Sequence, residues 1–372
     1  MQIEPGNYSI ESFLEYLVAN RDKVFRAKGE RKWLKTHLLY VQNGWQNIFK
    51  KYSLESWGEI WHFSIPENAT SVVDFYAYQW NENLLACFTA STQETYENTL
   101  LRVVSVTRGI SEAWIKPDVF EQLKNYMLDK YHASIYHFIS TRSRSSNTLP
   151  KVQRPDFNRR LNYSGEDAGE VLKETQTLYG TLPKTIDFNV LEDKVQLNRN
   201  GLIVMRDVNL RTTGIIREVT DRVLSEQNEL LKTSEKLQTS ITPIGEGEHI
   251  IQVPTLIAGK ISFIGSKFDT LQAEILLGHH EEEKETEEYE GEQLEGFNFS
   301  FIDTYITDTM YSATAVDEQK GTVFGLSGDS GQIVLVPKHR TTFESFVRFY
   351  VEILESFDRS AVLTTFGEQV GR

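Results

Sequence analysis

The stretch from Leu84 to Ser140, LLACFTASTQETYENTLLRVVSVTRGISEAWIKPDVFEQLKNYMLDKYHASIYHFIS, leaves little freedom in how it can fold. Leu84–Thr89 is apolar, long enough for a buried strand and too short for a helix. Ser91 and Glu94 have the spacing of a capping box, in which each side chain satisfies an orphan backbone N–H at a helix start. Tyr96, Leu100, Leu101, Val103 and Val104 give that helix one apolar face, and Gly109 follows its end. Ile110–Ile115 is predicted as the next strand. Pro117 stands where a first-turn proline loses no hydrogen bond, and Val119, Phe120, Leu123, Met127 and Tyr131 line one side of a second helix. Ser134–Ile139 closes a strand–helix–strand–helix–strand unit.

Around this unit the patterning changes twice. Residues 8–55 are predicted helical: SIESFLEYLV is amphipathic, and Trp33-Leu34, Leu38-Leu39, Trp45 and Ile48-Phe49 continue at helical spacing. From Trp57 a period of two takes over, with strands at Ile60–Ile65 and Ser71–Tyr78 separated by the turn signal Pro66-Glu67-Asn68. Ser164–Asp167 can cap a helix carrying Val171, Leu172, Thr175, Leu178 and Tyr179, which Gly180 and Pro183 end. Strands follow at Thr185–Val190, Lys194–Leu197 and Leu202–Val208, the last two joined by Asn198-Arg199-Asn200-Gly201, a hairpin signal.

Thr213–Ser240 is predicted as one long helix, with Ile216, Val223, Leu230 and Leu237 seven apart and Val219 between them. That repeat fits either a connecting helix packed on its own chain or a short coiled-coil seam to a partner through Leu230 and Leu237. Beyond Pro243 the chain turns β-rich, with strands expected at Ile250–Val253, Lys260–Ile264, Leu271–Leu277, Phe297–Ile306, Tyr311–Val316, Thr322–Leu326 and Gln332–Val336. A last helix begins at a Thr341–Glu344 capping box and carries the apolar stripe Phe343, Phe346, Val347, Tyr350, Leu354 and Phe357. That stripe is core first and a partner surface, through Phe346 and Tyr350, second.

The fold class is therefore α+β. A helical N-terminal segment (1–55) precedes a central mixed sheet with helices on one face (56–212). A connecting helix (213–240) leads to a C-terminal β-rich domain closed by one helix (241–372). At 372 residues, 40% apolar and 12% aromatic, the chain can build more than one core. A single cysteine, Cys87, excludes a disulfide framework and fits a reducing, intracellular setting. The opening MQIEPGNYSIESFLEYLVAN lacks a basic n-region, so no secretory signal is expected there, and no apolar run reaches a membrane span.

Charge divides the chain. Residues 241–372 hold 23 acidic and 9 basic residues, whereas residues 1–240 hold 30 of each, so the net charge of −14 belongs to the C-terminal part. Much of it lies in HHEEEKETEEYEGEQLEG (279–296), read as an exposed self-repelling loop or a docking site for a basic partner. In the neutral part, Arg21, Lys23, Arg26, Lys28, Arg31, Lys32 and Lys35 form a basic band, broken by Asp22 and Glu30. It is either a solvated helix face or a phosphate-tracking surface. Residues 140–160 carry Arg142, Arg144, Lys151, Arg154, Arg159 and Arg160 against Asp156. With little to bury, they are expected to form a mobile basic loop able to follow phosphates.

No catalytic signature emerges. Gly328-Asp329-Ser330-Gly331 matches the nucleophile motif of trypsin-like serine proteases, but that chemistry needs a histidine base and an orienting acid. His249 with Asp269 or Asp303 supplies the order only, and Asp-Ser and Ser-Gly are ordinary turn dipeptides. The eight histidines are scattered, no four-ligand metal scaffold is visible, and neither a P-loop nor a dinucleotide-binding glycine motif is present. No metal or cofactor is expected.

Two stretches, LLACFTASTQETYENTLLRVVSVTRGISEAWIKPDVFEQLKNYMLDKY and LKETQTLYGTLPKTIDFNVLEDKVQL, give the central part a resemblance to the centromere protein N family of the inner kinetochore. Tyr179, Gly180, Pro183 and Phe188 match as fold positions. The resemblance implies that the first two parts contact a specialised nucleosome and its DNA while the last pairs with a protein partner. The expected function is a non-catalytic adaptor for DNA or nucleoprotein that also holds a protein partner, or homo- or heterodimerises, through its C-terminal domain. The alternatives are a protein-interaction subunit without nucleic-acid contact and an enzyme of unrecognised type.

Overall fold

The computed structural model describes residues 1–27, 30–42, 44–142, 160–244, 251–265, 268–278, 299–338 and 341–366. Among them the chain divides into two compact units. The first runs to Gln227, apart from Arg142 and Thr177–Gly180; these join the second, which continues from Asn228.

In the first unit the strands are β1 (Arg26–Ala27), β2 (Glu30–Arg31), β3 (Leu34–Val41), β4 (Glu55–Trp57), β5 (Ile60–Pro66), β6 (Val72–Gln79), β7 (Leu84–Thr89), β8 (Ile110–Glu112), β9 (Ser134–Arg142), β10 (Arg160–Ser164), β11 (Thr181–Val190), β12 (Asp193–Asn198) and β13 (Leu202–Met205). The helices are α1 (Ile10–Ala19), α2 (Arg21–Phe25), α3 (Gln46–Phe49), α4 (Gln93–Tyr96), α5 (Arg102–Val106), α6 (Pro117–Lys130), α7 (Ala168–Tyr179) and α8 (Leu210–Lys236); a π-helical turn, Glu97–Leu101, joins α4 to α5. Strands β10-β9-β11-β12-β13-β3-β7-β6-β5-β4 lie side by side in one sheet, with β8 also on β3.

The predicted α+β class holds, and several finer expectations do not. LKTHLLYV, read as helix, is β3, with all eight residues buried. It pairs antiparallel with β13 (Met205 opposite Leu34) and with β7 (Thr89 opposite Lys35). A strand covered on both faces shows no period of two, so Leu34, Leu38 and Leu39 mimic a helical stripe. Residues 1–55 are thus no separate helical segment, because they supply a central strand.

Helices also cover both faces of this part of the sheet, where one face was expected. Leu39, Val41, Phe63, Phe75, Leu85 and Cys87 pack under Tyr96, Leu100 and Val104 of the α4–α5 segment. On the other side Phe13 of α1 meets Tyr76 and Phe88, with ring centroids 5.7 and 5.4 Å apart. Gln227 of α8 donates there to the Tyr40 hydroxyl and to the Trp114 carbonyl. The α4 cap is Thr92, which accepts from the Thr95 N–H, rather than Ser91, whose carbonyl is taken by Lys35.

The Asn198–Gly201 hairpin forms as expected. Gly201 has φ +88°, and a Cβ there would lie 2.9 Å from the Leu38 carbonyl oxygen and 3.1 Å from Ala113. Its own carbonyl accepts the Leu38 N–H at 3.0 Å, so it cannot move away. Gly201→Ala is expected to lower stability by about 1–3 kcal/mol, read as an earlier urea midpoint.

The second unit carries a sheet in the order β14 (Gln238–Ile244), β15 (Ile251–Ser262), β19 (Gln332–Pro337), β18 (Thr322–Asp329), β17 (Tyr311–Asp317), β16 (Phe299–Ile306), with β20 (Val362–Phe366) also on β15. Helix α9 (Thr270–Leu277) replaces a predicted strand: Asp269 caps it by accepting the Gln272 N–H, and Gly278 ends it at φ +75°. A stretch of seven residues, five of them apolar, is short enough to read either way, and the caps decide it. Helix α10 (Phe343–Ser356) is buried from Phe343 to Leu354. Gly328–Gly331 is the turn of the β18–β19 hairpin, where Asp329 faces Gln332 and the Gly331 N–H returns to the Asp329 carbonyl. Among the described residues no helix is long and apolar enough to cross a membrane.

Candidate nucleic-acid interface

Strands β10, β9, β11 and β12 form a wing of the first sheet with one face covered and one open. Ile186, Phe188, Val190, Val195 and Leu197 are buried on the inner side, and Ile135 meets Gly169 of α7 there. The alternate residues Thr185, Asp187, Asn189, Lys194, Gln196 and Asn198 are half-exposed, and register pairs them across β11 and β12. The edge strand β10 adds Arg160, Asn162 and Ser164, all exposed. A strict period of two in these short segments therefore encodes a polar sheet surface.

The alternation breaks once. In β9, Tyr136 and His137 are both half-buried between the buried Ile135 and Phe138, and both side chains reach the open face. His137 spans Asp187 (Nδ1 to Oδ2, 2.9 Å) and the side-chain amide of Asn162 (Nε2, 2.8 Å). The carboxylate can only accept, so Nδ1 carries the proton. Tyr136 lies beneath Lys194, whose ammonium is 4.2 Å from the ring centroid.

Register extends this surface toward β3. The Arg206 N–H donates to the Lys194 carbonyl, and Met205 is opposite Leu34, so Arg206 and Trp33 are next in line. The Arg206 guanidinium sits 5.9 Å over the Trp33 ring, and Trp33 is 46% exposed. Trp33, Arg206, Lys194 and Tyr136 thus form a row across the sheet, two neighbouring cations with an aromatic ring at either end. Burial raises the Tyr136 hydroxyl pKa first and Asp187 adds to it, while Arg206 opposes them. Among the described residues named on this face, the cations Arg160, Lys194 and Arg206 outnumber the carboxylate of Asp187, which His137 engages. Such a surface can take phosphate oxygens on its cations and flat rings on its aromatics.

The predicted basic residues divide sharply. Arg160 is on this face. Lys32 is half-buried, and Arg26 lies opposite Arg31 in the β1–β2 pair. Arg142 ends β9. Lys28, Arg144, Lys151, Arg154 and Arg159 fall outside the described residues, as does the acidic run 279–296. Lys35 is a correction: it is buried, its ammonium donates to the Ser91 carbonyl at 2.6 Å, and burial lowers its pKa to about 8. It is committed to the interior and cannot track phosphate.

The partner candidates are corrected as well. Leu230, Leu237, Phe346 and Tyr350 are all buried within this chain, with Leu237 against Gly259 and the Tyr350 hydroxyl donating to the Ala361 carbonyl at 2.7 Å. Ile216, Val219 and Val223 are buried too, so the seven-residue repeat serves the chain's own core. Trp33, Tyr136, His137, Lys194 and Arg206 were not singled out. The signal available for them was the polar alternate positions of β11 and β12.

A family model described as a family middle domain matches residues 118–197, which include Tyr136, His137, Arg160, Asn162, Asp187 and Lys194 but neither Trp33 nor Arg206. An uncharacterized protein of Archaeoglobus fulgidus is 25% identical over 149 residues, covering 39% of this chain and 40% of that protein. The chain therefore spans less than half the length of the relative it matches. No solved structure matches. These findings overturn the resemblance to the centromere protein N family: the stretch that carried much of it is matched instead by this family model, and the similar protein is an uncharacterized archaeal one.

Proposed function

We propose that this chain is a non-catalytic nucleic-acid-binding protein that uses the open face of its first sheet. The observation that carries this reading is the row Trp33, Arg206, Lys194 and Tyr136, two adjacent cations flanked by two rings on a surface that no helix covers among the described residues. Arg160 extends the positive charge to the sheet edge, and the basic residues 143–159 connect β9 to β10, the two outer strands of this wing. Phosphate contacts made this way are electrostatic and release counterions, so affinity falls steeply with salt.

Fluorescence anisotropy with labelled DNA and RNA tests the reading. Affinity is expected to drop at least about tenfold between roughly 50 and 200 mM salt. The triple variant Arg160→Ala, Lys194→Ala, Arg206→Ala is expected to reduce the slope of log affinity against log salt by about 2–3, since each phosphate contact contributes about 0.7–0.9. Unchanged affinity and slope in that variant would remove the face from consideration.

The reading of a protein-interaction subunit without nucleic-acid contact draws on a different observation. In the second unit Val362 and Phe366 of β20 and Ile302 of β16 are 43%, 56% and 51% exposed. Absence of any binding to DNA or RNA at the lower salt would favour this alternative.

A further inference from the structure

Resting on the nucleic-acid reading, we infer that the ligand is single-stranded, held by unpaired bases stacking on Trp33 and Tyr136 while phosphates lie on Arg206, Lys194 and Arg160. Three features of the face select this over a duplex. The first is the exposure of the aromatic surface. Trp33 is an indole 46% exposed, although the same unit buries Trp45 and Trp57, and a guanidinium lies over its ring. A duplex presents phosphates and groove edges to such a surface and keeps its base faces stacked within itself, so an exposed ring gains nothing from it. An unpaired base has a free π-face of any sequence.

The second feature is that each ring is paired with a cation on a long side chain. Lys194 and Arg206 lie over Tyr136 and Trp33 at 4.2 and 5.9 Å. Both cations end long flexible stems, and Arg206 is exposed. Each can swing to a phosphate as a base takes its place on the ring, which couples stacking to charge neutralisation at neighbouring positions along one strand.

The third is shape. The six strands from β10 to β3 place Arg160 and Trp33 at opposite limits of the face. At about 4.8 Å between neighbouring strands that distance is roughly 24 Å, enough for several nucleotides of extended single strand. Among the described residues the face is a sheet surface without a protruding helix to enter a major groove, and polar side chains between the anchors, Asn189, Gln196, Asn162 and His137, offer donors and acceptors to base edges.

The test uses the full chain and four labelled probes of about 20 nucleotides: single-stranded DNA, single-stranded RNA, the matching duplex, and an abasic oligomer with phosphates but no bases. The expected result is single-strand binding at least roughly tenfold tighter than binding to either the duplex or the abasic strand. Trp33→Ala is expected to weaken single-strand binding roughly 5- to 100-fold, bringing it toward the abasic value, while duplex and abasic affinities stay constant and Trp33→Phe keeps most of the binding. Preference between the DNA and RNA strands identifies which one the 2′-hydroxyl favours, and either supports the inference. Duplex or abasic binding as tight as single-strand binding overturns it and leaves the phosphate reading intact. Failure of all four probes to bind overturns both. The abasic comparison needs only the wild-type chain, so the inference stays testable even if a variant at Trp33 is poorly folded.

Discussion

Asp317→Ala is expected to destabilise the second unit by about 3–5 kcal/mol, the cost of leaving a buried cation without its counterion. Asp317 is fully buried and Arg348 is 3% exposed, and the two form an ion pair between β17 and α10. The same carboxylate accepts the Ser345 hydroxyl at 2.7 Å and the Lys320 N–H at 2.9 Å. Removing it takes one acceptor from three donors, the Arg348 guanidinium, the Ser345 hydroxyl and the Lys320 N–H, at the point where the helix meets the sheet. Gln319 and the Phe299 ring remain beside the guanidinium, but neither carries a full negative charge. Against a typical domain stability of about 5–15 kcal/mol, that loss leaves the unit marginal. The double variant Asp317→Leu, Arg348→Met is expected to recover most of it, because an apolar pair removes the desolvation cost along with the attraction.

The tryptophans make the measurement specific. All six, at positions 33, 45, 57, 61, 80 and 114, belong to the first unit. Tryptophan fluorescence during urea unfolding therefore follows the first unit, and far-ultraviolet circular dichroism follows both. Asp317→Ala is expected to advance the dichroism transition while the fluorescence transition stays near its wild-type midpoint. A stability change below about 1 kcal/mol would show that the buried pair is not holding α10 to the sheet.

Elements with their own boundary chemistry were legible without coordinates. Leu84–Thr89 forms the strand its apolar run demands, and Pro117 opens α6 at the first helical position. Gly180 follows α7 at φ +64°. What misled was burial that local pattern cannot report. β3 is covered on both faces, so its apolar residues carry no period of two, and the lysine within it, Lys35, looks like one more member of a basic band. Its role is set by a partner 56 positions away, the Ser91 carbonyl. The partner candidates failed for the reverse reason: a strong stripe such as Phe346 and Tyr350 looks the same whether a sheet of the same chain or another molecule covers it.

The open face shows the same limit from the other side. Trp33, Tyr136, Asn162, Asp187, Lys194 and Arg206 come from six strands or the residues flanking them, spread over nearly half the chain, and only strand order and register bring them onto one face. The alternation in β11 and β12 revealed that one face is polar, but not which distant aromatics join it. Tyr136 reaches that face because the alternation of β9 slips at Tyr136-His137, a local irregularity no propensity encodes.

Acid is expected to weaken the first unit through one group in its core, His37. The imidazole is fully buried between β3 and α4, and burial lowers its pKa to about 4. Its Nε2 faces the Asn200 carbonyl at 3.1 Å; a carbonyl only accepts, so Nε2 carries the proton and Nδ1 accepts from the Tyr96 hydroxyl. Both nitrogens are satisfied in the neutral form, and a second proton would displace the Tyr96 donor. The other titratable neighbours are Cys87, opposite His37 in register, and Glu112, whose carboxylate is 3.7 Å from Nε2; the hydrogen bond to the Asn200 carbonyl offsets part of the burial penalty. In the unfolded chain the same histidine titrates near 6.5, so between that value and about 4 the unfolded state binds the extra proton and the folded state does not. Stability therefore rises with pH across this window and is lost as pH falls through it, to a total of about 3 kcal/mol at about 1.4 kcal/mol per pH unit. His37→Gln is expected to be less stable at neutral pH and to lack this component of the slope. The measurement is the urea midpoint of the tryptophan transition at intervals from pH 7 to below 4, compared between wild type and variant, so that contributions common to both proteins cancel. Parallel curves for the two proteins would place the acid sensitivity elsewhere; curves that converge as the pH falls would assign it to His37.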